Sequence, residues 1–512
     1  MESIAELRHL LLKPDIKNWE ALCLFLEELE DPIELEEVVL PYVIEHTADW
    51  PVSLCKAPEE WIEELEDGHY SPRWRIIQCL ELAYVTWSPK QLSWVGEQDT
   101  WENLSRLSFL DEPRFGGKKG WKLLAESPLM AHLTEFACRE FHLKAEFLEA
   151  LCACPSLPNW RTLTLKQVRI DDDKAQILAD GLYQGKLETL DLSANKLTGP
   201  GVRVLSQAKG LEHLQFLALG NQDVRHDSAV YNRIGTEGVE AIANSDLAQG
   251  LVSLDIAYNQ LEDITLQKLS KGAFSSLKRL ELQSNYFTEE GLTSLAQSPW
   301  FESLTSLDIS GHRLGAKRAK AFFEKVDLSG LREFSCGRMH LGLSGVKALA
   351  SNCSFENLEL LSIEGNALKI KGCKALFEGG RFSSLRSLNL SNNDLGDEGM
   401  QKACELGQFT GLEHLLCDRN GIGLDGCKAI CELSHLDKLR HLSLNKNKLE
   451  DEALQEIAKS ERFSALELLG VDDNNILDGE LLKSLFDSPH FPELETIYWF
   501  YAALRKPDEI ES

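Results

Sequence analysis

The amino-acid sequence predicts an α/β solenoid, in which short parallel strands line one side and helices cover the other. Three observations carry this prediction: an apolar motif that recurs at a fixed spacing, a period-two pattern inside the motif, and a glycine-led apolar segment after it. The stretch 385–403, LRSLNLSNNDLGDEGMQKA, contains all three. Each observation is justified in turn below.

The motif L-x-x-L-x-L recurs along most of the chain. Of the fifteen intervals between its copies, twelve are 26 or 27 residues long and one is 37. So regular a period is typical of a repeat array and not of unrelated domains packed together. The second apolar residue of the motif stands at sixteen positions, which are Leu80, Leu107, Phe136, Leu163, Leu190, Leu217, Leu254, Leu280, Leu307, Phe334, Leu361, Leu388, Leu415, Leu442, Leu469 and Ile497.

Within one copy, Leu388 and Leu390 alternate with period two and predict a short strand with one buried face. The pattern N-x-L-x-x-x-G then leads into a segment long enough for two to three helical turns. One strand and one helix cannot bury their own apolar face, but stacked copies can, as a parallel sheet covered by helices.

An asparagine marks the end of the predicted strand in half of the copies. Its amide can donate to and accept from backbone groups that the turn leaves unpaired, so we expect a structural ladder. His312 and Met339 replace it in neighbouring copies, where we expect a weaker ladder. The asparagines of this phase are Asn195, Asn259, Asn285, Asn366, Asn393, Asn420, Asn447 and Asn474.

The stretch LETLDLSANKLTGPGVRVL, 187–205, and its copies resemble the leucine-rich repeat family, in particular its ribonuclease-inhibitor-like subclass. The resemblance covers residues 76–504 and implies a horseshoe of about 16 repeats, with parallel strands on the concave side and helices outside. It also implies binding of other proteins, because well-known members of the subclass are cytosolic inhibitors and GTPase-activating proteins. No contact residue of those members is matched by a local motif here.

The first 75 residues lack the repeat phase and predict a small all-α cap. Three amphipathic helices are expected, over 4–14, 19–31 and 32–46. The string WEALCLFLEELEDP, 19–32, resembles a helical companion segment that precedes repeats in some bacterial proteins. The predicted domains are therefore a helical N-terminal cap (1–75), a leucine-rich repeat solenoid (76–504) and a C-terminal tail (505–512).

Composition bounds the partners and the compartment. The formal net charge is −29 with a pI near 4.9, which disfavours nucleic acid and anionic membranes and favours a basic protein partner. No stretch approaches 18 consecutive apolar residues and no secretory signal is found, so we expect a cytoplasmic protein without membrane association. The 13 cysteines are scattered without a C-x-x-C pair, which predicts reduced thiols and no zinc site.

No catalytic motif was found. H-E-x-x-H, G-x-S-x-G, Walker A and dinucleotide-binding patterns are missing from suitable settings, so we predict no enzyme activity, no catalytic residue and no cofactor. His414 and His441 share a phase in adjacent copies near Asp418. Without a third ligand of matching phase they predict surface histidines and not a metal site.

Two features of the repeats are candidate partner-binding sites. The residue between the two buried strand positions faces the concave surface, and four copies place an acid there, which predicts an acidic stripe of Asp191, Asp255, Glu281 and Asp308. The 37-residue interval contains an insertion at 221–230, beside this stripe. Its candidate contacts are Arg225, His226, Asp227 and Tyr231.

The sequence as a whole favours a non-enzymatic scaffold that binds a basic protein on its concave face. The alternative is a regulator of a partner enzyme, of the GTPase-activating or the toxin or nuclease-inhibitor type. The family pattern L-D-L-S itself places aspartate at the stripe position, so a purely structural origin of the stripe stays open at this point.

Overall fold

The structure is a computed structural model, which describes residues 7–29, 31–97, 101–221, 231–352, 355–379, 382–433 and 436–506. The chain forms two compact units. Unit 1 comprises Met1–Asp255 with Ala273–Ser275, and unit 2 comprises Ile256–Gly272 with Ser276–Ser512. Both units are built from the predicted strand-and-helix repeat, and each is described by itself.

The described strands of unit 1 pair in parallel and in chain order, as predicted. The central apolar residues lie directly opposite one another, as Leu163 lies opposite Leu190. These strands are β1 Cys79–Ala83, β2 Arg106–Leu110, β3 Glu135–Arg139, β4 Thr162–Lys166, β5 Thr189–Asp191, β6 Phe216–Ala218 and β7 Ser253–Asp255.

In unit 2 the parallel pairing runs from β8 to β16. These strands are β8 Arg279–Glu281, β9 Ser306–Asp308, β10 Glu333–Ser335, β11 Leu360–Ser362, β12 Ser387–Asn389, β13 His414–Leu416, β14 His441–Ser443, β15 Leu468–Gly470 and β16 Thr496–Trp499. A last strand, β17 Ala502–Arg505, pairs antiparallel with β16. Phe500 and Tyr501 both adopt positive φ, at 55° and 60°, which closes a tight hairpin.

The final hairpin departs from the all-parallel sheet that the repeats predict. Because no crossover helix follows β16, the chain turns back on the last strand and forms a backbone ladder with it. Strand β17 ends at Arg505, the first residue of the predicted tail.

Helices follow the strands in both units, and those of unit 1 that end before Cys79 precede the first strand. In unit 1 they are Ile16–Glu28, Pro32–Glu34, Leu40–Thr47, Glu59–Glu66, Pro89–Gly96, Lys118–Ala125, Ala145–Cys152, Asp172–Gly181, Gly199–Ser206, Gly235–Ala243 and Leu247–Gly250. In unit 2 they are Asp263–Leu269, Glu289–Ala296, Ala316–Phe323, Gly342–Asn352, Lys369–Gly379, Gly396–Leu406, Leu424–Cys431, Asp451–Lys459 and Gly479–Ser484. A π-helical turn, Leu35–Val39, joins Pro32–Glu34 to Leu40–Thr47.

The core of each repeat lies between its strand and its helix. In the repeat of the opening stretch, Leu388 and Leu390 are fully buried, and the helix Gly396–Leu406 adds Met400 and Ala403 from its inner face. The predicted alternation of buried and exposed strand residues is therefore confirmed in this repeat.

The asparagine ladder ties each repeat to the one before it. Asn393 Oδ1 accepts from the backbone N–H of Asn366 at 2.9 Å and of Leu368 at 3.4 Å. Its Nδ2 donates to the carbonyls of Ile363 at 3.0 Å and Leu390 at 2.9 Å. The same pattern of two acceptances and two donations recurs at Asn195, Asn285, Asn366, Asn447 and Asn474, and Asn420 shows the two donations with one acceptance, from Asn393 N.

His312 occupies a position of this ladder and changes its chemistry. Its Nδ1 lies 2.7 Å from the carbonyl of Ile309, and its ring stacks on Phe287 with centroids 5.1 Å apart. Burial lowers the pKa of His312 to about 4, although hydrogen bonds to backbone carbonyls oppose the shift. An imidazole has no carbonyl oxygen, so it does not reproduce the two acceptances of an asparagine.

We predict that His312→Asn removes a pH-dependent loss of stability. Because the folded pKa lies below the ordinary value of 6.5, the neutral ring favours folding above pH 6.5, and stability falls as pH drops from there toward 4. Between pH 7.5 and 5.5 the variant should gain about 1 kcal/mol relative to the native protein, measured by urea unfolding at both pH values. His213→Asn, at an exposed position, is the control. Equal pH dependence of native protein and His312→Asn would contradict the prediction.

The N-terminal helices are partly as predicted. Residues 7–10 are helical, Ile16–Glu28 overlaps the second predicted helix, and the third, predicted over 32–46, is interrupted by the π-helical turn. The helix Glu59–Glu66 was not predicted, because its charged sequence EEWIEELE buries only Trp61 and Leu65 on a narrow face.

This segment is joined to the first repeat by backbone and aromatic contacts. Cys79 N donates to the carbonyl of Cys55 at 3.0 Å, and Ala57 N donates to the carbonyl of Cys79 at 3.0 Å. Trp74 packs edge-on between Trp61 and Trp101, with centroids 5.8 and 5.7 Å away. The contacts place this segment as a cover for the first strand.

Deleting residues 1–75 is therefore predicted to expose apolar surface on the first repeats and to cause aggregation. Light scattering and binding of a hydrophobic dye would measure both effects. A truncated protein that stays monodisperse and melts at the native temperature would show that residues 1–75 are an independent domain.

The thiols and the apolar segments complete the description. Burial raises the pKa of Cys79 to about 11 and of Cys373 to about 12, which keeps both thiols protonated near neutral pH. Within the described part of the chain, no helix combines the length and apolar character needed to cross a membrane.

Candidate functional site

The candidate site lies on the open face of the sheet, defined here as the side that bears the two residues flanking each buried central leucine. In β12 these residues are Ser387 and Asn389, on either side of Leu388. The strand backbones are held by pairing with their neighbours, so this face presents side chains on a rigid support.

In unit 1 the open face carries Asp191 and Asp255 with β6 between them. Asp191 lies opposite Ala218, and Ala218 lies opposite Asp255. The two carboxylate positions are thus two strands apart, about 10 Å at the ordinary strand spacing. Asp191 Oδ1 accepts from the backbone N–H of Ser193 at 2.9 Å, and the Asp255 carboxylate lies against Gly220, where an added methyl group would overlap it.

An exposed aromatic side chain lies on the strand between these two acids, two residues before Ala218. Phe216, also on β6, is 43% exposed and lies opposite Thr189 on one side and Ser253 on the other. Aromatic residues surrounded by polar groups are frequent anchors of protein interfaces. Sequence reasoning missed Phe216. The signal was available, because the residues at the same strand position in the two neighbouring repeats carry hydroxyl groups.

In unit 2 the open face brings Glu281 and Asp308 directly opposite one another. Arg279 lies beside them, with Nη1 3.8 Å from Glu281 Oε1 and Nη2 2.6 Å from Glu333 Oε2. The negative charge of Glu281 is therefore partly compensated. Sequence reasoning treated the stripe as acids alone and did not foresee this arginine.

Asp308 combines a structural and an electrostatic role. Its Oδ1 accepts from the backbone N–H of Ser310 at 2.8 Å, as Asp191 does with Ser193. Burial raises the pKa of Asp308, the hydrogen bonds from Ser310 oppose the shift, and the charges of Glu281 and Glu364 add to it. A cation near Asp308 would offset the charges of Glu281 and Glu364 and would favour the ionised carboxylate.

The insertion is anchored to the repeats by two asparagines. Asn221 Oδ1 accepts from Asn232 N at 2.9 Å, and Asn221 Nδ2 donates to the carbonyl of Asn232 at 3.0 Å. Asn232 in turn takes the ladder position, since its Nδ2 donates to the carbonyls of Leu192 and Leu219 at 2.9 and 3.0 Å. The repeat phase therefore resumes at Asn232, and buried Asn221, which the prediction assigned to the insertion, belongs to the repeat fold.

Of the candidate contacts in the insertion, Tyr231 is described and half-buried. Arg225, His226 and Asp227 lie outside the described residues. The insertion begins at Asn221, one residue after Gly220, which Asp255 overlies. The base of the insertion and the acidic side chain of unit 1 are thus neighbours.

Farther along the open face of unit 2, His414 and His441 are paired across β13 and β14, with ring centroids 6.0 Å apart in an edge-on arrangement. Burial and the neighbouring His414 lower the pKa of His441, and Asp418 opposes this. No group of three or more His, Cys, Asp and Glu side chains in the described ranges is arranged to hold a metal ion.

A depression of about 460 Å³ lies near the C-terminal hairpin. Its polar network is built around Asp418, whose Oδ1 accepts from Ser443 Oγ at 2.6 Å and from Asn445 N at 2.8 Å. The lining includes one carboxylate pair and two exposed aromatic rings, and consists of Asp418, Arg419, Asn445, Lys446, Asp472, Tyr498, Tyr501 and Ala502. Sequence reasoning did not place this feature, because the hairpin that forms one wall breaks the repeat.

Comparison with known proteins agrees with this architecture. A family profile described as Leucine Rich repeat matches residues 186–206, 383–402 and 435–458. No curated protein matches the chain. The repeat architecture supports a protein-interaction scaffold, since such arrays offer extended surfaces for partners.

Two solved structures are similar to the chain. One is an internalin (InlF) from Listeria monocytogenes strain 4b F2365, with 17% identity over 73% of this chain and 88% of that chain and a TM-score of 0.39. The other is the complex of Rad7 and Elc1 from yeast, with 15% identity over 91% of this chain and 98% of that chain and a TM-score of 0.39.

Proposed function

We propose that this leucine-rich repeat protein is a non-enzymatic scaffold that binds a basic protein through the open face of its sheet. The observation that carries the proposal is the acidic side chains on that face, together with the exposed Phe216 on β6, the strand between those of Asp191 and Asp255. Acidic groups around an aromatic anchor suit a partner that offers lysine or arginine around an apolar contact.

The electrostatics of the site favour a basic partner over an acidic or neutral one. Burial and neighbouring acids make the ionised form of Asp308 unfavourable in the free protein, and the net charge of −29 attracts cations over the whole surface. A partner cation near Asp308 would lower the free energy of the bound state, and the overall field would increase the association rate.

Preorganisation supports the same function. The carboxylates of Asp191 and Asp308 are each oriented by a backbone N–H donor two residues on, and the strands that carry them are fixed by their neighbours. Binding to such a surface requires little ordering of the scaffold, which reduces the entropic cost of association.

The proposal is tested by affinity purification from the source organism with the full chain as bait, followed by mass spectrometry and by measurement of Kd for each purified candidate. A fourfold variant of the acidic side chains, described in the Discussion, serves as the second bait. We expect a basic protein that the native chain retains and the variant loses. Retention of the same protein by both baits would contradict the proposed site.

A catalytic assay of the purified partner, with and without the scaffold, separates the two functional alternatives. An unchanged partner activity supports the scaffold function. A changed activity would instead identify a regulator of the GTPase-activating or toxin or nuclease-inhibitor type.

A further inference from the structure

A second surface lies in the N-terminal part of unit 1, beside strand β1. The helix Ile16–Glu28 and the segment 56–60 enclose a groove of about 630 Å³. This volume lies within the range of about 300–1,000 Å³ that is usual for ligand-binding clefts. The groove is lined by Ile16, Trp19, Glu20, Cys23, Leu24, Glu27, Lys56, Ala57, Pro58, Glu59 and Glu60.

The floor of the groove is apolar and rigid. Trp19, Cys23 and Ala57 are each buried to 97% or more of their surface. Trp19 Nε1 donates to the carbonyl of Lys56 at 2.8 Å, which ties the helix to the opposite wall. The polar end of Trp19 is thus satisfied inside the protein, and its buried ring forms part of the apolar floor.

One wall of the groove carries large apolar side chains that the fold does not cover. Ile16 is 51% exposed and Leu24 is 60% exposed, and Leu12 before the helix is 76% exposed. Ile16 and Leu24 both belong to the helix, whose buried residues include Leu22 and Leu26, and Leu12 lies outside it. Exposed apolar side chains of this kind offer surface that a partner helix would cover.

The rim of the groove is strongly acidic. Glu20 and Glu27 come from the helix, and Glu59 and Glu60 come from the opposite wall. The single basic side chain among the described lining residues, Lys56, lies 2.7 Å from Glu81 and is therefore already paired. An occupant of this groove meets an apolar floor between two rows of carboxylates.

We propose that this groove docks an amphipathic helix of another protein, with apolar residues on the inner face and lysine or arginine on both flanks. The helix-in-groove mode uses apolar anchors at i, i+3, i+4 and i+7, and the flanking cations would meet the rim carboxylates on either side. The groove shares no lining residue with the four acids of the open face, so the chain would hold two basic partners, or one partner at two places.

Charge complementarity selects a separate partner over the two other possible occupants. The chain's own first six residues, MESIAE, contain two carboxylates and no basic side chain. A second copy of the chain brings a net charge of −29 to an acidic rim. Both of these occupants would be repelled by the carboxylates that attract a basic helix.

The test uses a fluorescein-labelled synthetic peptide of about 18 residues, with leucine at the helical anchor positions and lysine elsewhere. A scrambled peptide of the same composition is the probe control. Fluorescence anisotropy with the full chain should give saturable binding of the helical peptide, and the scrambled peptide should bind at least about tenfold more weakly. Hydrogen exchange should show protection of the helix Ile16–Glu28 on binding.

Matched variants of the chain locate the binding. Ile16→Asp with Leu24→Asp should raise the peptide Kd at least about tenfold, whereas Ile33→Asp with Val38→Asp, at exposed positions outside the groove, should leave it within about twofold. All four positions are exposed, so folding should survive, and circular dichroism would verify this.

A charge-matched pair of variants tests the rim. Glu20→Gln with Glu59→Gln and Glu60→Gln should weaken binding and reduce its salt dependence, whereas the same change at Glu36, Glu37 and Glu45 should have little effect. Glu27 is left unchanged because it accepts from Trp61 Nε1.

Three outcomes would overturn the proposal. Equal losses of peptide affinity in the groove variants and the control variants would mean that the peptide is attracted by the net charge alone. A tenfold gain of peptide affinity on deleting residues 1–6 would identify the chain's own N-terminus as the occupant. A dimer that Leu24→Asp dissociates would identify a second copy. The acidic variant of the open face should leave peptide binding unchanged, so failure here and failure of the proposed function are distinguishable.

Discussion

Asn393→Ala is expected to lower the free energy of unfolding by about 3–5 kcal/mol, the largest single-residue effect that we predict. The amide side chain is fully buried and holds four backbone groups of two consecutive repeats. Alanine leaves the N–H of Asn366 without this partner, whereas the carbonyls of Ile363 and Leu390 each keep one amide donor, from Asn366 and Asn420. The loss combines one unpaired buried N–H, which costs about 1–3 kcal/mol, with the other lost hydrogen bonds, about 0.5–1.5 kcal/mol each, and water has little access to the site.

Urea unfolding followed by circular dichroism measures this change, and hydrogen exchange localises it. The amide protons of Asn366 and Leu368 should lose protection before those of distant repeats, because repeat arrays transmit stability mainly between neighbours. Asn475→Ala, at an exposed position in another repeat, is the control and should change the free energy of unfolding by less than about 0.5 kcal/mol. A loss below about 1 kcal/mol at Asn393 would show that the ladder is not a major source of stability.

The comparison with His312 sharpens this prediction. His312→Asn introduces the ladder residue at a position that lacks it, so its effect on stability below pH 6.5 should have the opposite sign to that of Asn393→Ala. If the two variants shift stability in the same direction at pH 5.5, the hydrogen bonds of the ladder cannot be the common cause.

The repeat fold was predictable because its signal is redundant. The buried leucine of each strand and the asparagine after it recur at one spacing, so a single unusual residue such as Phe334 does not hide the pattern. After the insertion, the ladder also marks where the repeat spacing resumes, because Asn232 makes the hydrogen bonds of a ladder asparagine.

The backbone conformation before the ladder was not predictable from residue type. The residue that precedes the ladder position adopts positive φ in many repeats, for example at Ala194, Tyr258 and Lys446, and these residues do not favour that region. Glycine marks it only at Gly311 and Gly365. The packing and hydrogen bonds of the neighbouring repeats impose the conformation, and a local pattern cannot reveal it.

The candidate site was predictable in its positions and not in its electrostatics. The strand period places Asp191, Asp255, Glu281 and Asp308 on one side of their strands, and the structure agrees within each unit. The arginine beside Glu281, the burial of Asp308 and the exposed ring of Phe216 depend on side-chain packing across strands. The groove beside helix Ile16–Glu28 also depends on a distant segment, 56–60, which no local pattern connects to it.

Neutralising the acidic side chains of the open face is expected to reduce the association rate of the basic partner about tenfold at low salt. The variant combines Asp191→Asn, Asp255→Asn, Glu281→Gln and Asp308→Asn. Folding should survive, because an asparagine oxygen can still accept from the backbone N–H of Ser193 and of Ser310. Melting should hold steady or rise, since burial already makes the charge of Asp308 unfavourable.

Salt dependence distinguishes this effect from a lost contact. Screening acts over about 8–10 Å at physiological ionic strength, so added salt should weaken the native complex much more than the variant complex. A control variant removes four exposed carboxylates outside the strands, through Asp173→Asn, Glu212→Gln, Glu302→Gln and Glu461→Gln. It changes the net charge equally, so a rate close to native in the control assigns the effect to the open face.

The insertion provides a second contrast at the same site. Replacing residues 222–230 by two glycines keeps Asn221 and its bonds to Asn232, so the repeat should stay intact. Binding should weaken mainly through faster dissociation, and its salt dependence should stay close to native. The change removes direct contacts and alters the electrostatic field less. If the fourfold variant instead binds with native affinity and native salt slope, the acidic side chains are a structural pattern of the repeat. The partner site would then be sought at the neutral positions Ser362, Asn389, Leu416 and Ser443, which continue the same row toward the depression around Asp418.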